Sequence, residues 1–222
     1  MTLLGIDTST PASATCVLRD DGASFEVEPE VGRLSAGPAH ARELMPAVAE
    51  VMERAALDFR DLEAIAVGVG PGTFTGLRIG IATARALASA SDLQLRPVSS
   101  LAVLAAGMDG EHRLPLIDAR RGEVFGALHG PDGELLWPPF AAAPDEVAER
   151  VRQAGFRVRA AGDGSIRFRG VLEAAGIGVD ADESRSHVVR ALHVCRLAQT
   201  VPGGPPEAVL PDYLRAPDAK TP

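Results

Sequence analysis

The residues with the clearest chemical potential form a glycine-rich turn, Gly68-Val69-Gly70-Pro71-Gly72-Thr73-Phe74-Thr75-Gly76-Leu77-Arg78-Ile79-Gly80. The turn follows an apolar run from Leu62 to Val69 and leads into an alanine-rich segment that predicts a helix to about Ala90. Free backbone N–H groups at such a helix N-terminus bind anions, phosphate among them. The turn lacks the Gly-Lys-Ser/Thr of a phosphate loop and the glycine spacing of a dinucleotide motif. Two interpretations stay open: a tight turn that needs glycine for its backbone geometry, or an anion site.

Histidine, cysteine and lysine are the other residues that could act in catalysis or bind a metal, and their spacing argues against both roles. No two of the five histidines are spaced i, i+4, and no His-Glu-x-x-His motif occurs. His40 on its own is more typical of a helix terminus than of a catalyst. Cys16 and Cys195 show neither zinc nor redox spacing, which favours reduced, buried thiols. The only lysine, Lys220, lies in a Pro-rich tail. We therefore expect no metal site and no catalytic residue.

Two aspartates close short apolar strands and indicate an internal repeat. Leu4-Gly5-Ile6-Asp7-Thr8 recurs in pattern as Pro115-Leu116-Ile117-Asp118-Ala119. Each aspartate precedes a further strand and an Asp-Gly hairpin turn, and then a helix, a glycine-ended strand and another helix. This order predicts a duplicated α/β fold with an N-terminal lobe over residues 1–104 and a C-terminal lobe over 105–222. The last helix, Arg185 to Thr200, and the Pro-rich tail fall in the second lobe.

Two predicted helices carry continuous stripes of similar residues. Between Ala39 and Leu57 the apolar positions follow helical spacing, and Pro46 marks a helix start or a kink. After the glycine turn, small residues recur at every fourth position: Gly76, Gly80, Ala84 and Ala88. Such a stripe lets another helix backbone approach closely. Both stripes either pack on the protein's own sheet or form a docking surface for a second chain.

Composition narrows the class of protein. The chain has 222 residues, is 46% hydrophobic and carries a net charge of −8, so it can bury a large core and gains little from phosphate neutralisation. We therefore expect no direct binding of free nucleic acid. The first apolar run is halted by Asp7 and lacks a basic flank, and no stretch reaches the ~20 apolar residues of a membrane span. We expect a cytoplasmic protein without a membrane segment.

Several motifs together resemble one family. Besides the glycine turn they are Leu4-Gly5-Ile6-Asp7-Thr8-Ser9, His40 with Glu43-Leu44-Met45-Pro46, Val98-Ser99-Ser100-Leu101, Ile117-Asp118-Ala119-Arg120 and Pro211-Asp212-Tyr213-Leu214-Arg215. They resemble the TsaB (YeaZ) family, densest over the first 125 residues. The resemblance implies a two-lobed, duplicated ribonuclease-H-like fold of the actin, sugar-kinase and Hsp70 (ASKHA) type. It also implies a non-catalytic partner subunit in bacterial synthesis of threonylcarbamoyladenosine (t6A) on tRNA.

The resemblance further implies partners and sites. The two helices would form a four-helix interface with the catalytic subunit TsaD or, when the chain is alone, with a second copy, and the complex would admit the ATPase TsaE. The implied interface residues are Leu44, Val48, Val51, Met52, Gly76, Leu77, Gly80 and Ala84. The metal-binding histidine pair of TsaD falls at Ser100 and Leu104 here, so the metal centre is missing. No cofactor is expected for the isolated chain, with ATP or ADP bound only at the interface of the complex. The candidate nucleotide or anion residues are Asp7, Gly70, Gly72, Thr73 and Asp118.

Two other functions stay open as alternatives. The first is an autonomous small-molecule kinase of the same architecture, in which Asp7 and Asp118 would surround metal-bound phosphates. The loop after Asp7 lacks glycine, and Arg120 beside Asp118 can pair with its carboxylate, which favours a structural role for both aspartates. The second is a peptidase, which the missing histidine pair weakens.

Overall fold

The computed structural model describes residues 1–215. Lys220 and the end of the predicted tail lie outside the described residues. Over the described range, no helix is long and apolar enough to cross a membrane.

Within residues 1–215, ten strands form two sheets with the same topology. The strands are β1 (Leu3–Asp7), β2 (Ala14–Leu18), β3 (Ser24–Val27), β4 (Ala64–Gly70), β5 (Gln94–Ser99), β6 (His112–Arg120), β7 (Glu123–His129), β8 (Leu135–Ala142), β9 (Val158–Ala161) and β10 (Gly178–Val179). The first sheet has the order β3-β2-β1-β4-β5, and the second has β8-β7-β6-β9-β10. In both, the three strands of an antiparallel meander are followed by parallel pairing of the fourth strand with the first and of the fifth with the fourth. This repeated order confirms the predicted duplicated, two-lobed α/β fold.

In the described part of the chain, seven α-helices connect and cover the sheets. They are α1 (His40–Ala55), α2 (Phe74–Ala90), α3 (Ser100–Ala106), α4 (Pro144–Ala154), α5 (Asp163–Arg167), α6 (Arg169–Ala174) and α7 (Ala191–Ala198). Short 3-10 turns occur at Val31–Ser35, Phe59–Asp61, Arg185–His187 and Pro206–Ala208. Helix α1 begins at His40, so Pro46 lies inside the helix, on its exposed side, and does not start it.

Three apolar layers hold these elements together. Helices α1 and α2 cover one face of the first sheet, where residues such as Val48 and Leu77 meet Ile6 and Ile65. Helices α3 and α7 lie between the two sheets, with Leu101 and Val194 in a core shared with Ile117 of the second sheet. Helices α4 and α6 cover the outer face of the second sheet.

The position of α7 corrects the predicted lobe assignment. The sequence placed the last helix in the C-terminal lobe, but α7 packs on β1 and β2 of the first sheet. The Sγ of Cys195 lies against the backbone of Leu3 and Cys16, and Gly5 leaves room for it. Arg96 of β5 donates to the carbonyls of Ala198 and Val201, which secures the end of the helix. Apolar periodicity predicts that a helix is buried, but not which sheet buries it.

Candidate functional site

Asp7, at the carboxyl end of β1, is sealed inside the protein. Its carboxylate accepts hydrogen bonds from the backbone N–H and hydroxyl of Ser9, at 2.7 and 2.6 Å, and from the hydroxyl of Ser100 at 2.8 Å. Burial raises the pKa of Asp7, although these three hydrogen bonds act in the opposite direction. A side chain at Gly68 would collide with the same carboxylate. Since Asp7 is 1% exposed, it holds the junction of β1, β4 and α3 and faces no ligand site.

The glycine turn is locked onto the loop that follows Asp7. The N–H of Thr73 donates to the carbonyl of Ser9 at 2.7 Å, and Gly72 packs against Ser9 so closely that any side chain would clash. The hydroxyl of Thr8 donates to the carbonyl of Gly76 in the first turn of α2 at 2.7 Å. These contacts support the tight-turn interpretation of the glycines, because each one fills a space where a Cβ would lie.

The small-residue stripe of α2 faces inward, which corrects the predicted docking surface. A Cβ at Gly76 would lie 2.1 Å from the carbonyl oxygen of Thr8, and one at Gly80 would lie 2.2 Å from the Thr8 hydroxyl. The small residues therefore allow α2 to approach the protein's own β1–β2 loop. All eight predicted interface residues are buried within the chain: Leu44, Val48, Val51, Met52, Gly76, Leu77, Gly80 and Ala84. The prediction that these side chains form an exposed docking face is wrong.

The opposite faces of α1 and α2 are exposed and differ in the size of their side chains. On α1 long side chains lie beside the small ones, and the exposed residues are Ala41, Arg42, Met45, Pro46, Ala49, Glu50, Glu53 and Arg54, with Met45 48% exposed. On α2 the exposed residues are Phe74, Thr75, Arg78, Ala82, Ala86, Ser89 and Ala90, with no carboxylate among them. The exposed alanines of α2 leave room for close packing of a second helix, and none of these exposed residues belongs to the predicted interface set. We call this surface the outer face of α1 and α2.

Asp118, the counterpart of Asp7 in the second sheet, is neutralised by arginine. Its Oδ2 accepts from Arg120 at 3.1 Å and from Arg167 at 2.7 Å, and its Oδ1 accepts from the Arg120 backbone N–H. The pairing with Arg120 was predicted from the sequence. Arg167 was missed, since it is 49 residues away and no local pattern marks it. A carboxylate held by two guanidinium groups is poorly suited to Mg²⁺.

Asp163, at the start of α5, is a second site residue without a sequence signal. Its Oδ1 accepts from the backbone N–H of Asp118 at 3.0 Å. Burial, and to a smaller degree the charge of Asp118, raises the pKa of Asp163 to about 6. The turn before it is held by buried His187, whose Nδ1 accepts from the N–H of Gly162 at 3.0 Å.

His40 occupies the start of α1, as predicted for a helix-terminus residue. Its Nδ1 lies 2.7 Å from the hydroxyl of Ser13, and the side chain is 2% exposed. Burial lowers the pKa of His40, so the ring is neutral at pH 7 and contributes no charge to the glycine turn beside it.

A cavity of about 640 Å³ opens between the glycine turn, the β6–β7 turn and the C-terminal segment. Of the five predicted nucleotide or anion residues, Gly72, Thr73 and Asp118 line it, whereas Asp7 and Gly70 do not. Its basic lining residues are Arg78, Arg120, Arg121 and Arg215, and its acidic ones are Asp118 and Asp212. This concentration of arginine contrasts with the net charge of −8.

The C-terminal segment, residues 209–215, closes one side of this cavity and contacts both lobes. The N–H of Asp212 donates to the carbonyl of Val69 at 2.8 Å, and the ring of Tyr213 stacks on Phe74 with centroids 5.2 Å apart. Arg215 reaches the other lobe, where it pairs with Glu123 and donates to the carbonyl of Ala119 at 2.6 Å. This motif is part of the resemblance to the family, which by itself implied no role for it.

The two positions that correspond to the metal-binding histidines of TsaD are part of the protein core. Ser100 donates to Asp7, and Leu104 is 1% exposed within the layer between the sheets. Within residues 1–215, no three His, Cys, Asp or Glu side chains converge as metal ligands do.

Comparison with known proteins identifies the family to which the chain is similar. The family model for TsaD, tRNA N6-adenosine threonylcarbamoyltransferase, matches residues 29–163, which is more than half of the chain. The tRNA threonylcarbamoyladenosine biosynthesis protein TsaB of Escherichia coli is 34% identical over 163 residues, covering 69% of this chain and 67% of that protein. This chain belongs to the TsaB (YeaZ) family. The Bacillus subtilis TsaB is 29% identical over 231 residues and spans 99% of this chain and 96% of its own. The structure of YeaZ from Pseudomonas aeruginosa superposes with a TM-score of 0.78 at 30% identity, covering 96% of this chain and 99% of the other.

Proposed function

We propose that this chain is the non-catalytic partner subunit of the bacterial t6A-forming complex and that it binds and activates a TsaD-type threonylcarbamoyltransferase. The observation that carries the proposal concerns the two positions that correspond to the metal-binding histidines of TsaD. Here Ser100 is hydrogen-bonded to Asp7, and Leu104 is buried in the apolar core. A chain with the family's fold and without ligands at those positions would support catalysis through a second subunit.

The autonomous-kinase alternative is not favoured. A kinase of this architecture needs both strand-end carboxylates free for a metal-bound phosphate, but Asp7 is sealed and Asp118 is held by two arginines. The missing histidine pair likewise argues against a peptidase.

The outer face of α1 and α2 is the proposed docking surface. Its exposed alanines permit close helix packing, and Met45 and Phe74 supply apolar area at its ends. The same face would pair two copies when the catalytic subunit is absent. Since both modes use one surface, homodimer and heterodimer would exclude each other.

Further parts of the proposal concern ligands and the third protein. The isolated chain would hold no cofactor, and ATP or ADP would contact it only where the subunits meet, at the cavity lined by Gly72 and Thr73. The TsaE-type ATPase would join through the assembled pair of subunits, and tRNA would be bound by the other subunits.

The test of docking is Ala86→Arg on the outer face of α2. A long charged side chain there should prevent close helix packing and weaken binding of the co-expressed TsaD-type subunit at least about tenfold, with a matching loss of t6A formation by the reconstituted complex. Ala174→Arg, an exposed alanine at the end of α6, is the matched control and should bind normally. Full binding and activity of Ala86→Arg would exclude this face as the interface.

A further inference from the structure

Arg78 has no carboxylate partner within residues 1–215, in contrast to two other arginines around the cavity. Arg120 pairs with Asp118 and Arg215 pairs with Glu123. Over residues 1–215, the guanidinium of Arg78 contacts an aromatic ring and a phenolic oxygen and forms no ion pair. Its side chain is exposed, on the outer face of α2.

The guanidinium of Arg78 is nevertheless held in one place. It lies over the ring of Phe74, 3.8 Å from the ring centroid, one helical turn earlier on α2. Its Nε donates to the hydroxyl of Tyr213 at 3.2 Å, and the Tyr213 ring in turn stacks on the ring of Phe74. Much of the conformational entropy that a free arginine loses on binding is therefore already lost in the free chain. We call these three residues the arginine–aromatic cluster.

The cluster continues the proposed docking surface. Arg78 shares its helical face with Thr75 and Ala82, which are three residues before and four residues after it. A partner helix lying on Ala82 would therefore extend past the guanidinium. Aromatic residues and arginine are also the side chains that most often dominate the binding energy of protein interfaces.

We propose that Arg78, oriented by Phe74 and Tyr213, binds an acidic side chain of the partner subunit, and that the C-terminal segment is thereby a third element of the docking surface. The inference rests on the proposed function and specifies the partner chemistry at one end of the interface. A carboxylate accepts two parallel N–H bonds from a guanidinium, and an orientation fixed through Nε leaves the terminal nitrogens to make them. Tyr213 is a positioning residue, since it acts on the partner through Arg78.

The test compares binding of the purified TsaD-type subunit to four variants at low and high ionic strength. Arg78→Met removes the charge and keeps a side chain that packs on Phe74, and should weaken binding about tenfold at low salt and less at high salt. Tyr213→Phe keeps the stack but removes the acceptor for Nε, and should give a smaller loss with the same salt dependence. Arg157→Met removes an exposed arginine of the second lobe and is the control for net charge.

Each outcome bears on the proposal. Equal binding by wild type and Arg78→Met overturns it, and so does an equal loss in Arg157→Met. If Arg78→Met weakens binding only when ADP is present, the guanidinium binds nucleotide and not the partner. A fourth variant, Arg78→Lys, keeps the charge without the fork, so full affinity in Arg78→Lys overturns the bidentate geometry. Failure of the wild-type chain to bind at all overturns the proposed function along with this inference.

Discussion

The carboxyl group of Asp163 is held in an environment that disfavours its charge. Its pKa rises from 3.8 to about 6 because it is buried beside Asp118. The folded state therefore binds the proton more tightly than the unfolded state. The resulting stabilisation is complete below about pH 4 and is lost as pH rises through about 6.

The substitution Asp163→Asn should remove this pH dependence. The amide carbonyl can still accept from the Asp118 N–H, and no charge has to be buried. We expect the variant to be more stable than wild type at pH 7 by about 1–2 kcal/mol, because solvent around this partly buried group reduces the full value of about 3 kcal/mol. Chemical denaturation at pH 4 and pH 7 would measure it, with exposed Asp109→Asn as the control. An advantage of equal size at both pH values would contradict the assignment.

Helix α2 illustrates how a helix can be close-packed on the side where it has no side chains. The first turns of the helix rest directly on Thr8, and the hydroxyl of Thr8 bonds to the helix backbone. The glycines at positions 76 and 80 are thus required by the interior of the chain.

Adding a single methyl group should therefore change the stability of the protein in opposite directions in two helices. In an open helical site, Gly→Ala stabilises by roughly 1 kcal/mol through helix propensity. Gly170→Ala in α6 should show this, since nothing lies within 4 Å of its Cβ position. Gly80→Ala should instead destabilise by about 1–3 kcal/mol, because the methyl group would overlap the Thr8 hydroxyl. Thermal melts of the two variants give the comparison, and a stabilised Gly80→Ala would show that the stripe is not tightly packed.

At the level of elements, the sequence was sufficient where the signal is local. The aspartate-ended strands and their Asp-Gly hairpins predicted the duplicated meander, and the spacing of Leu44 and Val48 predicted a helix with one buried face. The sequence did not predict which part of this chain, or which other chain, packs against that face. Small-residue spacing is the same whether a helix packs on its own loop or on another chain, so Gly76 and Gly80 were assigned to the wrong side.

The prediction of site residues from the sequence has the same limit. Arg120 was found because it follows Asp118 within two positions, whereas Arg167 and Asp163 reach Asp118 only through the folding of the second lobe. The cluster of Phe74, Arg78 and Tyr213 joins residues that are 135 positions apart. No periodicity connects such positions.

On the scale of the whole molecule, the net charge disfavours direct binding of nucleic acid. The net charge is −8, and two of the four arginines lining the cavity, Arg120 and Arg215, are paired with carboxylates. We expect the isolated chain to bind tRNA no more tightly than the non-specific range of about 10⁻⁴ to 10⁻⁶ M at physiological salt. Filter binding or fluorescence anisotropy would test this, with the reconstituted complex as the positive control. Submicromolar affinity of the chain alone would mean that it contacts tRNA directly.

The insertion of α7 between the sheets has a consequence for synthesis of the protein. Cys195 of this helix packs against Leu3, 192 positions earlier in the chain. During translation the first sheet can form as soon as β5 has left the ribosome, but the part of its inner face formed by β1 and β2 stays uncovered until α7 has been made. Apolar side chains such as Leu3 and Cys16 are therefore exposed on the nascent chain for most of its elongation. A long-range contact of this kind slows folding and leaves a surface on which chaperones can act. The N-terminal lobe, although first in sequence, is completed last.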